Sequence, residues 1–250
     1  MSTSRHKIAL ESLRHLVTAI AAIGCTALML TPVHAATLEG TITYDGKVPK
    51  IKALKMDADP DCLNKHTSPP PAEYLVLGDG NTMGNIFVAI KSGLPDKEYP
   101  APSSAAIIDQ KGCIYDPHVI GLMAGQPLKF KNSDGILHNV HALPKINRPF
   151  NMAMPGTMTE SSDKGFKKVE EKPFKIKCDV HPWMNTWVRV MSHPYFSVTS
   201  TDGKYKIDNL PAGTYEVEAW HEKLGFRTQE ITVAEGDSAK LDFKFTRTKG

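Results

Sequence analysis

Cys178, His181 and Met184 stand three residues apart in the stretch Cys178-Asp179-Val180-His181-Pro182-Trp183-Met184. A thiolate, an imidazole and a thioether in so short a span form a soft donor set, better suited to a redox-active metal than to nucleophilic catalysis. One Cys with two His and a distant Met is the donor set of copper electron-transfer centres. A second imidazole must come from elsewhere, and the nearest upstream stretch, Asn132 to His141, offers His138 and His141. Side chains alternate across a strand, so His138 shares a face with Val140 and Ala142, and His141 shares the other with Asn139 and Leu143. An unbulged strand cannot aim both at one site, and His138 is the ligand this reading selects. Zinc also takes thiolate and imidazole, but it asks for four close ligands in a tetrahedron; a long thioether bond suits copper better.

Strands must carry these groups. Phe174, Ile176 and Cys178 alternate along Pro173 to Cys178, so the sulfur arrives on the same face as two core side chains. The turn through His181-Pro182 then presents the imidazole and the thioether, and Trp187 to Met191 is the return strand. Upstream, strand patterns occupy Thr37 to Tyr44, Tyr74 to Leu77, Asn85 to Lys91, Ala105 to Asp109, Val119 to Met123 and Gln126 to Lys131. Asp45-Gly46 and Gly125 mark turns between them. Many short strands with no convincing amphipathic helix define an all-β chain, a sandwich or barrel. Lys50 to Ala72, with its Pro69-Pro70-Pro71 run, lacks periodicity and reads as an ordered loop with at most a short helix.

The two metal-binding stretches together resemble the cupredoxins. The Cys-x2-His-x2-Met loop, with its His181-Pro182-Trp183-Met184 continuation, is most similar to that of amicyanin. His138-Asn139-Val140, preceded by the strand Leu128 to Phe130, resembles the family's first ligand His and the Asn that steadies the site. The resemblance spans roughly residues 120 to 192. It implies a cupredoxin-like Greek-key β-sandwich holding one type 1 copper ion on His138, Cys178, His181 and Met184, with Asn139 in the surrounding shell. It further implies one-electron transfer, an exit at the edge of His181, and an apolar docking patch that includes Pro182, Trp183 and Met184. Implied partners are a c-type cytochrome or a periplasmic dehydrogenase.

A second resemblance follows. Asp202-Gly203-x-Tyr205-x-Ile207 and Leu210-Pro211-x-Gly213-x-Tyr215 are similar to the punctuation of the carboxypeptidase-regulatory-like module, a small transthyretin-like β-sandwich. These are turn and core positions, so they speak for fold and not for activity. The opening strand Thr37 to Tyr44 also resembles the first strand of such modules, and alternation alone does not say which sandwich it joins. The expected division is a signal peptide at 1–35, a copper domain at 36–192 with an inserted loop around 50–73, and the smaller sandwich at 193–250. His193 and His221, two lone imidazoles near that boundary, read as structural.

Arg5, Lys7 and Arg14 precede an apolar run from Val17 to Leu30, and Val33-His34-Ala35 offers a cleavage site. The run is short for a membrane span and no second run exists, so the mature chain is expected to be periplasmic or secreted, with no membrane span. A lipidated Cys25 is the rival reading, but Ala22-Ile23-Gly24-Cys25 is a poor acylation match. Without the first 35 residues the chain carries 27 basic and 26 acidic residues, a balance that argues against general nucleic-acid binding. Three cysteines remain: Cys62, Cys113 and Cys178. An odd count in an oxidising compartment leaves one thiol over. Cys178 is that thiol, and Cys62 with Cys113 is expected to form a disulfide. The competing reading is a metal site built from Cys62, His66, Cys113 and His118.

Other functions remain open at this stage. Met152, Met154 and Met158 could make the protein a copper carrier or reservoir, although flexible apolar packing is the simpler reading of three methionines. The C-terminal sandwich could bind the cell envelope, with copper secondary. An enzyme is not expected: the chain has neither a nucleophile elbow nor the repeated His-x-His clusters of a multicopper oxidase.

Overall fold

The residues around His138 and Cys178 lie in a five-stranded sheet. Its order is Phe150–Met154, His138–Ala142, Phe174–Lys177, Asn185–Met191 and Val119–Met123. The first four strands pair antiparallel and the last pair is parallel. The computed structural model describes residues 35–247; the expected signal peptide, including Cys25 and all but Ala35, lies outside them. Against this sheet packs a smaller one of Tyr115–Asp116, Ala106–Gln110 and Leu128–Asn132. Ile108, Leu128, Phe130, Val140, Ala142, Ile176, Val188 and Val190 fill the space between the two, all fully buried. Each of these side chains except Ala142 contributes roughly 1.5–3 kcal/mol by leaving water. Cys178 and Met184 belong to the same core cluster, so the site grows out of packed apolar side chains.

The second half is another sandwich. One sheet runs Phe196–Val198, Phe87–Ser92, Gly213–His221 and Gly225–Val233. The other places Ala36–Tyr44 between Lys204–Leu210 and Ser238–Lys240, with Phe243–Phe245 also on Ala36–Tyr44. Leu38, Ile42, Ile90, Tyr205, Tyr215, Val217 and Phe243 form its core. The opening strand therefore joins the C-terminal sandwich, and so does Phe87–Ser92. The sheets do not divide at 192/193 as the expected domain boundary would have it. Hydrogen bonding across the sheets, which a linear boundary cannot express, draws two N-terminal strands into the C-terminal module.

A third cluster ties the halves together: Phe87, Ala89, Val119, Met191 and Trp220, with Trp187, Phe196, Val198 and Phe226 against them. Beside it the buried Arg189 guanidinium donates to the Glu218 carboxylate at 2.9 Å. The stretch between Ala36–Tyr44 and Val76–Leu77 is mostly irregular, and its helical turn is Pro60–Leu63. Among the described residues no helix is long and apolar enough to cross a membrane.

Candidate metal centre

The candidate ligand side chains arrive from the ends of the neighbouring strands His138–Ala142 and Phe174–Lys177 and from the loop that leads on to Asn185–Met191. His138 is the first residue of its strand, with Val140 and Ala142 buried on the same side. Cys178 directly follows Phe174–Lys177. The loop to Asn185 is closed by two backbone bonds, Cys178 N–H to the Met184 carbonyl at 3.1 Å and Met184 N–H to the His181 carbonyl at 2.9 Å. Those bonds fold Cys178, His181 and Met184 into one tight turn. His138, Cys178 and His181 each offer a ligating atom within 4.8 Å of the others, and all three side chains are buried. Met184 is fully buried beside them in the core cluster. His141, as its position on the other face implied, points away and donates to the Asp179 carboxylate at 2.8 Å.

The imidazoles are oriented from outside. His138 Nε2 lies 2.9 Å from Asp134 Oδ2, and His181 Nε2 lies 2.9 Å from Asp59 Oδ2. Each N–H that donates to a carboxylate leaves its Nδ1 as the free ring atom, and the two Nδ1 atoms face each other at 2.9 Å. Two lone pairs so close repel unless a proton or a metal cation lies between them. Two imidazole nitrogens and the Cys178 sulfur thus converge within 4.8 Å, an arrangement that could hold a metal ion.

The sulfur is held as firmly. Asn139 backbone N–H approaches Cys178 Sγ at 3.5 Å, and the thiol meets Asn139 Oδ1 at 3.3 Å. The same Oδ1 accepts from Asp179 N–H at 2.6 Å and Val180 N–H at 3.4 Å, fixing the loop to the strand. Burial pushes the Cys178 thiol up, but the hydrogen bond with His138 and backbone N–H groups of Asn139, His181 and Val180 outweigh it and bring the thiol down to about 7. Asn139 thus touches both the Cys178 sulfur and the loop that follows it.

Cys62 and Cys113 form a disulfide, so they do not make a metal site with His66 and His118. His66 Nε2 contacts the Gly112 carbonyl at 2.7 Å, and His118 sits buried against Glu222 at 2.7 Å. Of the three methionines, Met154 is buried, with Gln110 Nε2 donating to its sulfur at 3.0 Å, whereas Met158 is exposed. They do not form one cluster of exposed thioethers. His193 and His221 are buried and accept backbone N–H groups through Nδ1, His193 from Tyr195 and His221 from Lys223 and Leu224.

One implication of the resemblance is corrected. The edge of His181 is not at the surface: the residue is 1% exposed. The inserted loop lies over it, with Asp59 on Nε2 and the Trp183 indole N–H donating to the Cys113 carbonyl at 3.0 Å. Met184 is buried and Trp183 half-buried, leaving only Pro182 of the expected patch fully at the surface. Leu137 and Val180, apolar and exposed, flank the ligands instead. Asp59 and Asp134 were the residues that sequence reasoning missed. Single acids in irregular loops carry no periodic signal, and only the fold shows that each reaches an imidazole.

A family model described as a carboxypeptidase regulatory-like domain matches residues 188–246. Among solved structures, the chain is similar to a copper-containing nitrite reductase from Thermus scotoductus SA-01. That likeness is 16% identical with a TM-score of 0.32, over 40% of this chain and 25% of that one. The chain thus spans about a quarter of the reductase. A purple cupredoxin from Nitrosopumilus maritimus is 21% identical, TM-score 0.29, over 34% of this chain and 99% of its own. An amicyanin variant in its oxidised state is 19% identical, TM-score 0.31, over 42% of this chain and 98% of its own. No curated protein matched the sequence. The molecule is an all-β chain whose residues 188–246 match the carboxypeptidase regulatory-like model, and cupredoxins are among the solved structures it is similar to.

Proposed function

We propose that this protein is an exported one-electron carrier, with a single type 1 copper ion held by His138, Cys178, His181 and Met184. The observation that carries the reading is the convergence of two imidazole Nδ1 atoms and one thiol within 4.8 Å in a buried pocket. When bound there, copper would supply a one-electron Cu(I)/Cu(II) couple. The chain's own contribution is rigidity. Asp134 and Asp59 fix the two rings, Asn139 fixes the sulfur and its loop, and the disulfide-tied loop keeps water from the imidazoles. Donors that are held this way have little freedom to rearrange between two charge states. Hydrogen bonds to the sulfur and apolar packing around it set how strongly each state is favoured.

A redox protein, a c-type cytochrome or a periplasmic dehydrogenase, is the proposed partner, meeting the chain at the exposed Leu137, Val180 and Pro182. Electron-transfer encounters use small interfaces, so three such residues with their surroundings suffice. The proposal is tested by adding Cu(II) to the mature protein and recording its visible spectrum. An intense thiolate-to-copper band that Cys178→Ser abolishes supports it. A colourless protein that prefers Zn(II) overturns it. Copper bound in more than one equivalent, with no well-defined redox couple, would favour a carrier or reservoir in its place.

A further inference from the structure

The Cys62–Cys113 disulfide lies against the outer face of the copper site, and its surroundings repeat. Asp59 Oδ1 accepts the Cys62 N–H at 3.4 Å while its Oδ2 holds His181 Nε2 at 2.9 Å. Asp134 Oδ2 accepts the Cys113 N–H at 2.8 Å and also holds His138 Nε2 at 2.9 Å. Each half of the bridge is therefore bound to one carboxylate, and that carboxylate to one imidazole. Atoms of Asp59, Cys62 and His181 lie within 4.8 Å of one another, and so do atoms of Cys113, Asp134 and His138. A bridge needed only to close a loop would not require an acid and an imidazole beside each sulfur.

We propose that reduction of this bridge unmasks a second metal site, made of the Cys62 and Cys113 thiolates with the Asp59 and Asp134 carboxylates. Two thiolates and two carboxylates suit a borderline, tetrahedral cation such as Zn(II) or Co(II). A dithiol reductant delivers two electrons and two protons to the sulfur–sulfur bond, leaving two thiols and itself closing to a cyclic disulfide. The metal ion then displaces both protons, because cysteine ligates as the thiolate. Access to the bridge runs through one helical turn. Pro60, Asp61 and Leu63 of that turn are exposed and Cys62 alone is buried, so local opening of four residues bares the sulfur. A cation on this pair would sit one carboxylate away from both imidazoles of the proposed copper site. The site rests on the copper reading only for the roles of His138 and His181.

The test uses the full mature chain carrying Cys178→Ser, which removes the copper thiolate and leaves every group of the new site in place. The protein is treated with dithiothreitol, desalted without oxygen, assayed for thiols, and titrated with Co(II). The expected result is two titratable thiols and one equivalent of Co(II) with a thiolate-to-cobalt band. That band is absent from the unreduced protein and from reduced protein whose thiols have been alkylated with iodoacetamide. Asp59→Ala in the same background is expected to weaken Co(II) binding at least tenfold. The proposal is overturned if the bridge resists dithiothreitol in the folded protein, if both thiols appear without a cobalt band, or if the band survives alkylation. Because Cys178→Ser already lacks the visible copper band, this site and the copper site succeed or fail in separate experiments.

Discussion

At the scale of single residues, Asn139 does more than any other group outside the donor set. Its Oδ1 accepts three contacts, from the Cys178 thiol, Asp179 N–H and Val180 N–H, and its Nδ2 donates to Asn151 Oδ1 at 2.6 Å. Asn139→Ala leaves buried donors without partners, at a cost of about 1–3 kcal/mol. Thermal unfolding is expected to show that loss, and the thiolate-to-copper band is expected to shift, since the loop that carries the sulfur loses its anchor at Asp179 N–H and Val180 N–H. His138 gives a pH prediction. Burial pulls its pKa down, but the Asp134 carboxylate and Cys178 outweigh burial and raise it above the usual value of 6.5. A raised imidazole contributes stability that is full below 6.5 and lost as pH rises through the folded pKa. The same proton occupies the atom a metal needs. Copper affinity is therefore expected to fall as pH drops through that raised pKa, and competition titrations with a chelator at several pH values would show it. An affinity that stays flat as pH falls through 6.5 would contradict the assignment. The grouping of the candidate donors was legible in the sequence because Cys178, His181 and Met184 are close in the chain and His138 lies on a period-two strand, and the structure brings His138, Cys178 and His181 within 4.8 Å of one another. The two carboxylates were not, since nothing local distinguishes Asp59 or Asp134 from any loop acid.

At the scale of elements, the strands were read well where burial alternates. Phe174–Lys177 alternates and carries its apolar residues inward toward Cys178, and Val119–Met123 forms over the expected residues although its burial does not alternate. Tyr74 to Leu77 shortens to Val76–Leu77 because its only strand partner is the two-residue Met83–Gly84. A pattern of alternation names a face but no neighbour, and so Ala36–Tyr44 could not be placed until its pairings were seen. Close approach between elements was equally hidden. A Cβ on Gly121 would lie 2.5 Å from a Phe87 ring carbon and 2.7 Å from one of Phe196. Those two rings stack at 5.6 Å between centroids and cannot both retreat from a buried junction. Gly121→Ala is expected to cost about 1–3 kcal/mol by overpacking. Chemical denaturation checks it, and Phe196→Leu in the same chain should return part of the loss, because the clash and the ring are coupled.

At the scale of the whole molecule, the interleaving of the two halves decides what can fold alone. Residues 193–247 hold Lys204–Leu210, Gly213–His221, Gly225–Val233 and the two short strands that follow, but not the strands that complete their sheets. Ala36–Tyr44 is the central member of one sheet, bridging Lys204–Leu210 to Ser238–Lys240 and Phe243–Phe245. Phe87–Ser92 lies between Phe196–Val198 and Gly213–His221 in the other. Without them, Leu38, Ile42, Val88 and Ile90 are missing from the core, and two rows of backbone N–H and carbonyl groups lose their partners. A fragment of residues 193–250 is therefore expected to be unfolded, with a random-coil far-ultraviolet spectrum and collapsed amide dispersion. A fragment of residues 36–192 should expose the same unpaired edges and aggregate. The intact chain, with Arg189 and Glu218 buried across the junction and Phe87 packed against Val119, should unfold in one cooperative transition. Two separate transitions, or a folded 193–250 fragment, would mean that the shared strands are dispensable and that the halves are independent bodies.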